Sequence, residues 1–354
     1  MSDSVSLVVQ SRSVQRYINT IQTDMIRRGN EVSTGKIENL TEALGGEIRN
    51  YLDLNSTHSA LENRQQRLET GESRLNQMGI ALEMVHTQTQ SYDDLFAQIG
   101  IVDRNVIDTY IGLAESTLDA TASAMNTQWG GRYLFSGDSV QTRTTEGFDA
   151  LQIAVDNIIT ANAVAAGGTF TTQAQIDTLL AEIDTVFDDT HPASTFGALA
   201  YTGGSGDMAG IEVSEGSVMS FDIKGDDLVF RETVKGMILM ATQDTFRGLL
   251  PETTARNPTE LERDYVKTAL TTIINAGTLI INEQSNIGFK QERVNNTLEG
   301  LESVIFQYEE RIGLFENADP YEAGIAYSEL QRQLEASYFV TASLADQSLL
   351  NFLR

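Results

Sequence analysis

"VKTALTTIINAGTLIINEQSNIGFKQERVNNTLEGLESVIFQYEERIGLF" runs from Val266 to Phe315 and places a bulky apolar residue at every seventh position: Val266, Ile273, Ile280, Ile287, Val294, Leu301, Tyr308 and Phe315. Leu270, Leu298, Ile305 and Ile312 fill midway positions, which Gly277, Gln284 and Gln291 interrupt. A heptad seam this long predicts a helix of about 75 Å at roughly 1.5 Å per residue, packed lengthwise against others. Two segments mark helix starts. "NPTE" (Asn257–Glu260) offers Asn as cap, Pro in the first position and Glu in the third, and "DPYE" (Asp319–Glu322) repeats the arrangement before a final helix.

The first third mirrors this pattern. Leu54, Leu61, Leu68, Leu75 and Leu82 lie seven apart, and the seam tightens through Met78, Val85, Thr89, Tyr92, Phe96 and Ile99, with Val106, Tyr110 and Leu113 as its continuation. Val14, Ile18, Ile21 and Met25 form a short stripe near the start; Leu330, Leu334, Leu344, Leu349, Leu350 and Phe352 form another near the end. Between the arms, "LQIAVDNIITANAVAAGG" and "QAQIDTLLAEIDTVF" predict two short helices. Tyr201–Phe230 alternates apolar residues between Gly/Asp turns, the pattern of β-hairpins.

The fold class expected is therefore mainly α, with long coiled-coil-like arms from both termini and a small inserted α/β region containing β-hairpins. The boundaries expected are a terminal coiled-coil segment over 1–45, an N-terminal arm over 46–137, an outer domain over 138–250, a C-terminal arm over 251–316 and a second coiled-coil segment over 317–354.

Composition narrows function. The 354 residues carry a formal charge of −26, which disfavours nucleic acid and anionic membranes as partners. The middle third, residues 137–260, is the most acidic, with 19 acids against 6 bases. No cysteine is present, so thiolate metal sites and disulfides are excluded. His58, His86 and His191 sit in no metal-ligand spacing, and His58 and His86 fall at the edge of a helix face, where partial packing is the expected role. "GNEVSTGKI" (Gly29–Ile37) lacks the spacing of a phosphate loop. Asp226 and Asp227 do not follow a calcium-loop pattern and read as a hairpin turn. No catalytic, cofactor or metal residues are expected. The start, "MSDSVSLVVQSRSV", lacks the basic region and apolar core of a cleaved signal, and no run reaches membrane-spanning length.

"QWGGRYLFSGD" (Gln128–Asp138) breaks the helical pattern. It reads as a helix-capping glycine followed by a turn, in which Gly130, Gly131, Arg132, Tyr133, Leu134 and Phe135 carry the chain out of the arm. With its preceding residues, "MNTQWGGRYLFSGD" is similar to a signature that follows the N-terminal helices in the flagellin family of bacterial axial proteins. "STGK" (Ser33–Lys36), "YTGGSGDMAGIEVSEG", "ENADPYEA" (Glu316–Ala323) and "SLLNFLR" (Ser348–Arg354) also resemble that family. "IENLTEALGGEIRN", after Lys36, departs from the family's Pro-Ser-Asp-Asp-Pro type of loop.

The resemblance implies a structural axial protein of the flagellum, joining hook to filament. A filament subunit is the alternative within the family, and an enzyme or binding protein on a helical scaffold the alternative outside it. It implies export without a cleaved signal, an extracellular location in the flagellum, and self-assembly into a ring through the two terminal stripes. It also implies contacts with a neighbouring hook-associated protein and flagellin, and an export chaperone at the C-terminus.

Overall fold

The structure is a computed structural model that describes residues 2–100, 103–191, 194–214, 216–251 and 257–352, with side chains described between residues 12 and 343. In chain order, helices α1 (Ser2–Thr34), α2 (Leu40–Leu44), α3 (Ile48–Gln90), α4 (Asp93–Gln98) and α5 (Arg104–Met125) precede a tight hairpin of β1 (Gln128–Trp129) and β2 (Arg132–Tyr133). Helices α6 (Asp149–Ala165), α7 (Gln173–Phe187) and α8 (Phe196–Leu199) lead to a second hairpin, β3 (Met208–Ser214) with β4 (Ser217–Phe221). Helices α9 (Leu228–Ala241), α10 (Gln243–Gly248), α11 (Glu260–Glu316) and α12 (Pro320–Phe352) complete the chain. The fold is mainly α, as the heptads require, and contacts divide it into a terminal unit, Met1–Arg64 with Gly300–Arg354, and a central unit, Gln65–Glu299.

The central unit is built around the α3 and α11 seams. Leu68, Leu75, Met78, Leu82 and Val85 on one side, and Val266, Leu270, Ile273, Ile280 and Ile287 on the other, are buried. Gln284 donates to Glu83 at 2.7 Å, and a Cβ added at Gly277 would lie 3.1 Å from Thr89 Oγ1. The glycine that interrupts the heptad thus lets Thr89 approach closely. Helix α9 fills the remaining space, buried on nearly every side, with Gly236 against Ile273. Its one long apolar run, Met237–Ala241, suits that position, while Arg231 and Lys235 pair with Asp189 and Asp184.

A buried ion cluster fixes three helix ends here. Glu262, fully enclosed, accepts from Arg104 Nε at 2.8 Å and Nη2 at 2.6 Å, and from Arg247 Nε at 2.8 Å. Arg247 also reaches Asp108 at 2.7 Å. The starts of α5 and α11 and the end of α10 meet at this one carboxylate.

Several expectations need correction. Asn257 does not cap α11: the helix starts at Glu260, and Thr259 Oγ1 accepts from Glu262 N at 3.2 Å. The cap moves by two residues, which places Glu262 where both arginines reach it. Asp319 does cap α12, accepting from Tyr321 N at 2.8 Å, with Pro320 in the first position. The apolar seam holds through Tyr92, which is fully buried, and then loses phase, with Leu95 buried in place of Phe96. Helix α3 stops at Gln90, and α5 restarts on a new phase with Ile107, Ile111, Ala114 and Leu118 buried, while Val106 is exposed. Of Tyr201–Phe230, only Met208–Phe221 forms a hairpin, and Leu228, Val229 and Phe230 open α9. The two short helices expected before that hairpin are α6 and α7.

Candidate assembly surfaces and the latch between the chain ends

The terminal unit pairs the two ends of the chain. Helices α1 and α12 run antiparallel: Gln22 donates to the Tyr338 hydroxyl at 3.0 Å, and Gly29 faces Tyr327. Of the N-terminal stripe, Ile18 and Ile21 are buried in this pairing, whereas Val14 and Met25 are half-covered. Leu330 and Leu334 on α12 are half-covered too. The side chains of Leu344, Leu349, Leu350 and Phe352 lie outside the described residues.

Large apolar side chains elsewhere in this unit face outward. Leu314 is 81% exposed, Tyr321 78% and Phe339 76%, with Ile26 and Phe306 also open. One chain supplies two pairs of helices in this unit, and each helix has more apolar surface than its partner covers. Exposed Leu or Phe side chains are ordinary singly, but a unit carrying this many is built to be covered.

A latch joins the two turns that bound α1 and α12. Lys36 forms an isolated antiparallel bridge with Asn317; Ile37 N donates to Glu316 O at 2.7 Å and Ala318 N to Gly35 O at 2.9 Å. Gly35 has a φ of 67°, the left-handed conformation that a turn after a helix requires and that glycine adopts without strain. The side chains add a second layer. Lys36 Nζ lies 2.7 Å from Glu316 Oε2, and the Tyr51 hydroxyl donates to Glu316 Oε1 at 2.8 Å. Both hydrogen bonds hold the Glu316 carboxyl below its ordinary range, and Glu316 in turn pushes the Tyr51 phenol up. The atypical loop after Lys36 becomes α2, capped by Asn39 and tied to α1 by Arg27–Glu42 at 2.9 Å.

In the central unit, Gly130 and Gly131 adopt φ of 58° and 75° and make the two-residue turn between β1 and β2. They are hairpin glycines, not helix caps; α5 is capped by Asn126. Two consecutive left-handed residues match the twist of a tight hairpin. Beyond the turn, Arg132 is exposed, Tyr133 half-buried, and Leu134 and Phe135 are buried. Phe135 packs edge-on against Phe230 at 5.2 Å. Sequence reading passed over Asn126. Its side chain accepts from Thr144 N at 2.9 Å and donates to Thr145 O at 2.9 Å, fastening the segment after the hairpin to the end of α5. An Asn directly after a long helix and before a Gly-Gly turn was the available signal.

The β3–β4 hairpin sits directly on the long helices. A Cβ at Gly71 would lie 1.7 Å from Ile211 Cδ1, so the missing side chain is the socket for Ile211. Arg74 lies over the rings of Trp129 and Phe221 at 5.4 and 5.7 Å, holding both hairpins with one guanidinium. Arg293 donates to Ser217 at 2.7 Å, and Lys290 pairs with Asp222. Among the described residues no group of three His, Asp or Glu side chains is placed to hold a metal ion, and no helix is long and apolar enough to cross a membrane.

Residues 270–353 match the bacterial flagellin C-terminal helical region. The match lies on the C-terminal arm. That flagellin region takes in most of α11, the Glu316 side of the latch and nearly all of α12. Among solved structures, a candidate flagellar hook-associated protein from Vibrio parahaemolyticus shares the fold with a TM-score of 0.50 and 14% identity, covering 76% of this chain and 97% of its own. The structure of Bacillus cereus FlgL aligns with a TM-score of 0.47 and 15% identity, over 75% of this chain and 99% of its own. No curated protein sequence matches the chain.

Proposed function

We propose that this chain is a structural axial protein of the bacterial flagellum, forming the junction between hook and filament by self-assembly of its terminal helices into a ring. The observation that carries the reading is the flagellin C-terminal helical region over residues 270–353, on helices whose apolar faces one chain leaves half-covered. Burial of each Leu-sized side chain contributes about 1.5–3 kcal/mol. Neighbouring copies supply the surface that the α1/α12 pair lacks. The stripe Val14, Ile18, Ile21 and Met25 and the stripe beginning at Leu330 and Leu334 are the packing residues of this reading, with Leu344, Leu349, Leu350 and Phe352 continuing the second stripe. The chain acts without catalysis or cofactor. Its neighbours in the axis are another hook-associated protein and flagellin, and it is exported without a cleaved signal, held beforehand by a chaperone at the C-terminus.

Gold-labelled antibody on isolated flagella tests the placement. Label confined to the hook–filament boundary supports it. Label along the filament returns the chain to the role of a filament subunit, and absence from flagella overturns the reading.

A further inference from the structure

The central unit carries two exposed features of opposite charge that nothing in the chain brings together. The first is the tip of the β1–β2 hairpin. Arg132 projects from it, exposed and with no ion-pair partner among the described residues. Burial, and secondly the Arg132 charge, push the Arg74 guanidinium down, so two cations share this edge of a strongly acidic molecule.

The second is a groove of about 760 Å³ between the start of α9 and the middle of α11. Its walls include Leu228, 50% exposed, and Phe289, 70% exposed. Two cations on its walls, Arg231 and Lys290, are already paired with Asp189 and Asp222, whereas Asp227 and Glu283, which also line it, form no ion pair among the described residues. Burial pushes the Asp227 carboxyl up, opposed by the Lys224 amide, and the charges of Asp226 and Glu283 add to the rise. An open aromatic face beside two unpaired carboxylates is the environment that a guanidinium fits: stacked on the ring, with its N–H groups on the carboxylates.

We infer that Arg132 of one copy docks in the Phe289–Asp227–Glu283 groove of a second copy of this chain. The occupant is identified by charge. In a chain of net charge −26, the hairpin tip is a cationic edge whose guanidinium is in no ion pair among the described residues, and the groove keeps two carboxylates outside its ion pairs with Phe289 on its wall. Arg132 and the groove are different surfaces of the same unit, so the contact is head-to-tail. Such contacts close into rings when the rotation between copies permits. The inference rests on the self-assembly proposed above and gives it a lateral contact outside the terminal helices.

A charge exchange tests it, read as the amount of full-length chain recovered in isolated flagella. Arg132→Glu and Glu283→Arg should each lower the recovered amount by about tenfold, the effect of losing one favourable charge pair. The double variant should recover most of the loss. Arg132→Gln should fall between parent and Arg132→Glu. Thermal unfolding of each purified variant, unchanged from the parent, keeps the result from being a folding defect; all the substituted positions reach the surface. Incorporation of Arg132→Glu at the parent's level overturns the contact, as does a double variant no better than the singles. If the parent chain is itself absent from flagella, both this contact and the flagellar reading fall. Parent incorporation without charge rescue overturns the contact alone.

Discussion

The same helix tells two stories. In the central unit, α11 buries Val266, Ile273, Ile280 and Val294 with no exposure at all. In the terminal unit, the next heptad positions, Leu301, Ile305 and Ile312, keep 6 to 8%, Tyr308 and Phe315 are half-covered, and Leu314 is 81% exposed. The repeat does not weaken; the supply of partners does. Helices α3, α5 and α9 crowd the central seam, whereas the terminal unit draws on α1, α2, α12 and the ends of α3 and α11. A heptad records how much surface a helix needs covered. Whether one chain covers it depends on what else that chain places nearby.

Four substitutions would break or sharpen this contrast. The largest effect belongs to the central unit. Glu262→Ala removes the buried carboxylate that Arg104 and Arg247 share, leaving Arg247 its contact with Asp108, and should cost about 3–5 kcal/mol in chemical denaturation. A loss below that of a surface pair would show that the three helix ends hold without it. Next is the hairpin seat. Gly71→Val drives a side chain into Ile211 and should cost about 1–3 kcal/mol, as overpacking does. Fluorescence of Trp129, the single tryptophan, should change as Phe221 of the displaced hairpin lifts from the Arg74 guanidinium that both rings share. An unaltered spectrum would mean that the hairpin accommodates the valine in place.

The terminal unit should respond more weakly. The Glu316 carboxyl is held below its ordinary range by Lys36 and Tyr51, so its contribution is complete above the unfolded carboxylate range and is lost as pH falls through the lowered folded value. Lys36 is largely exposed, which limits that contribution to about 1 kcal/mol or less. Glu316→Gln should therefore flatten the fall in unfolding midpoint between neutral and strongly acidic pH; a variant with the parent's acid profile would remove the latch from the account. The smallest effect on the folded chain is expected at the most exposed apolar position. Leu314→Ala should change stability by no more than about 0.5 kcal/mol, as surface substitutions usually do. It should nonetheless reduce incorporation into flagella. A large loss of monomer stability would show that Leu314 belongs to the monomer's own core.

Local chemistry made much of this architecture legible before the structure. The α11 seam, the Asp319 cap and helices α6 and α7 follow from spacing and caps alone. The errors fall where a distant partner decides. Leu228–Phe230 is an apolar run at the end of an alternating stretch, yet it opens a helix because the central core covers Val229 and Phe230. The phase change after Tyr92 is invisible because both Phe96 and Leu95 are apolar, and only packing chooses Leu95. The Gly130–Gly131 hairpin carried its own signal and was passed over because the strands flanking it are two residues long. The ion cluster at Glu262 and the socket at Gly71 join residues far apart in sequence, and no local pattern announces them.

The latch also has a consequence in time. Lys36 and Glu316 stand 280 positions apart, and α1 pairs with a helix that ends the chain. Loop closure over such a span is slow to nucleate, though its entropic cost grows only with the logarithm of length. Helix α1, made well before α12, therefore waits for it. Synthesis hands the cell a helix that is complete early and satisfied late. In that interval the stripe of Ile18 and Ile21 is open to whatever meets it first, and hydrogen exchange should find α1 the last long helix to gain protection.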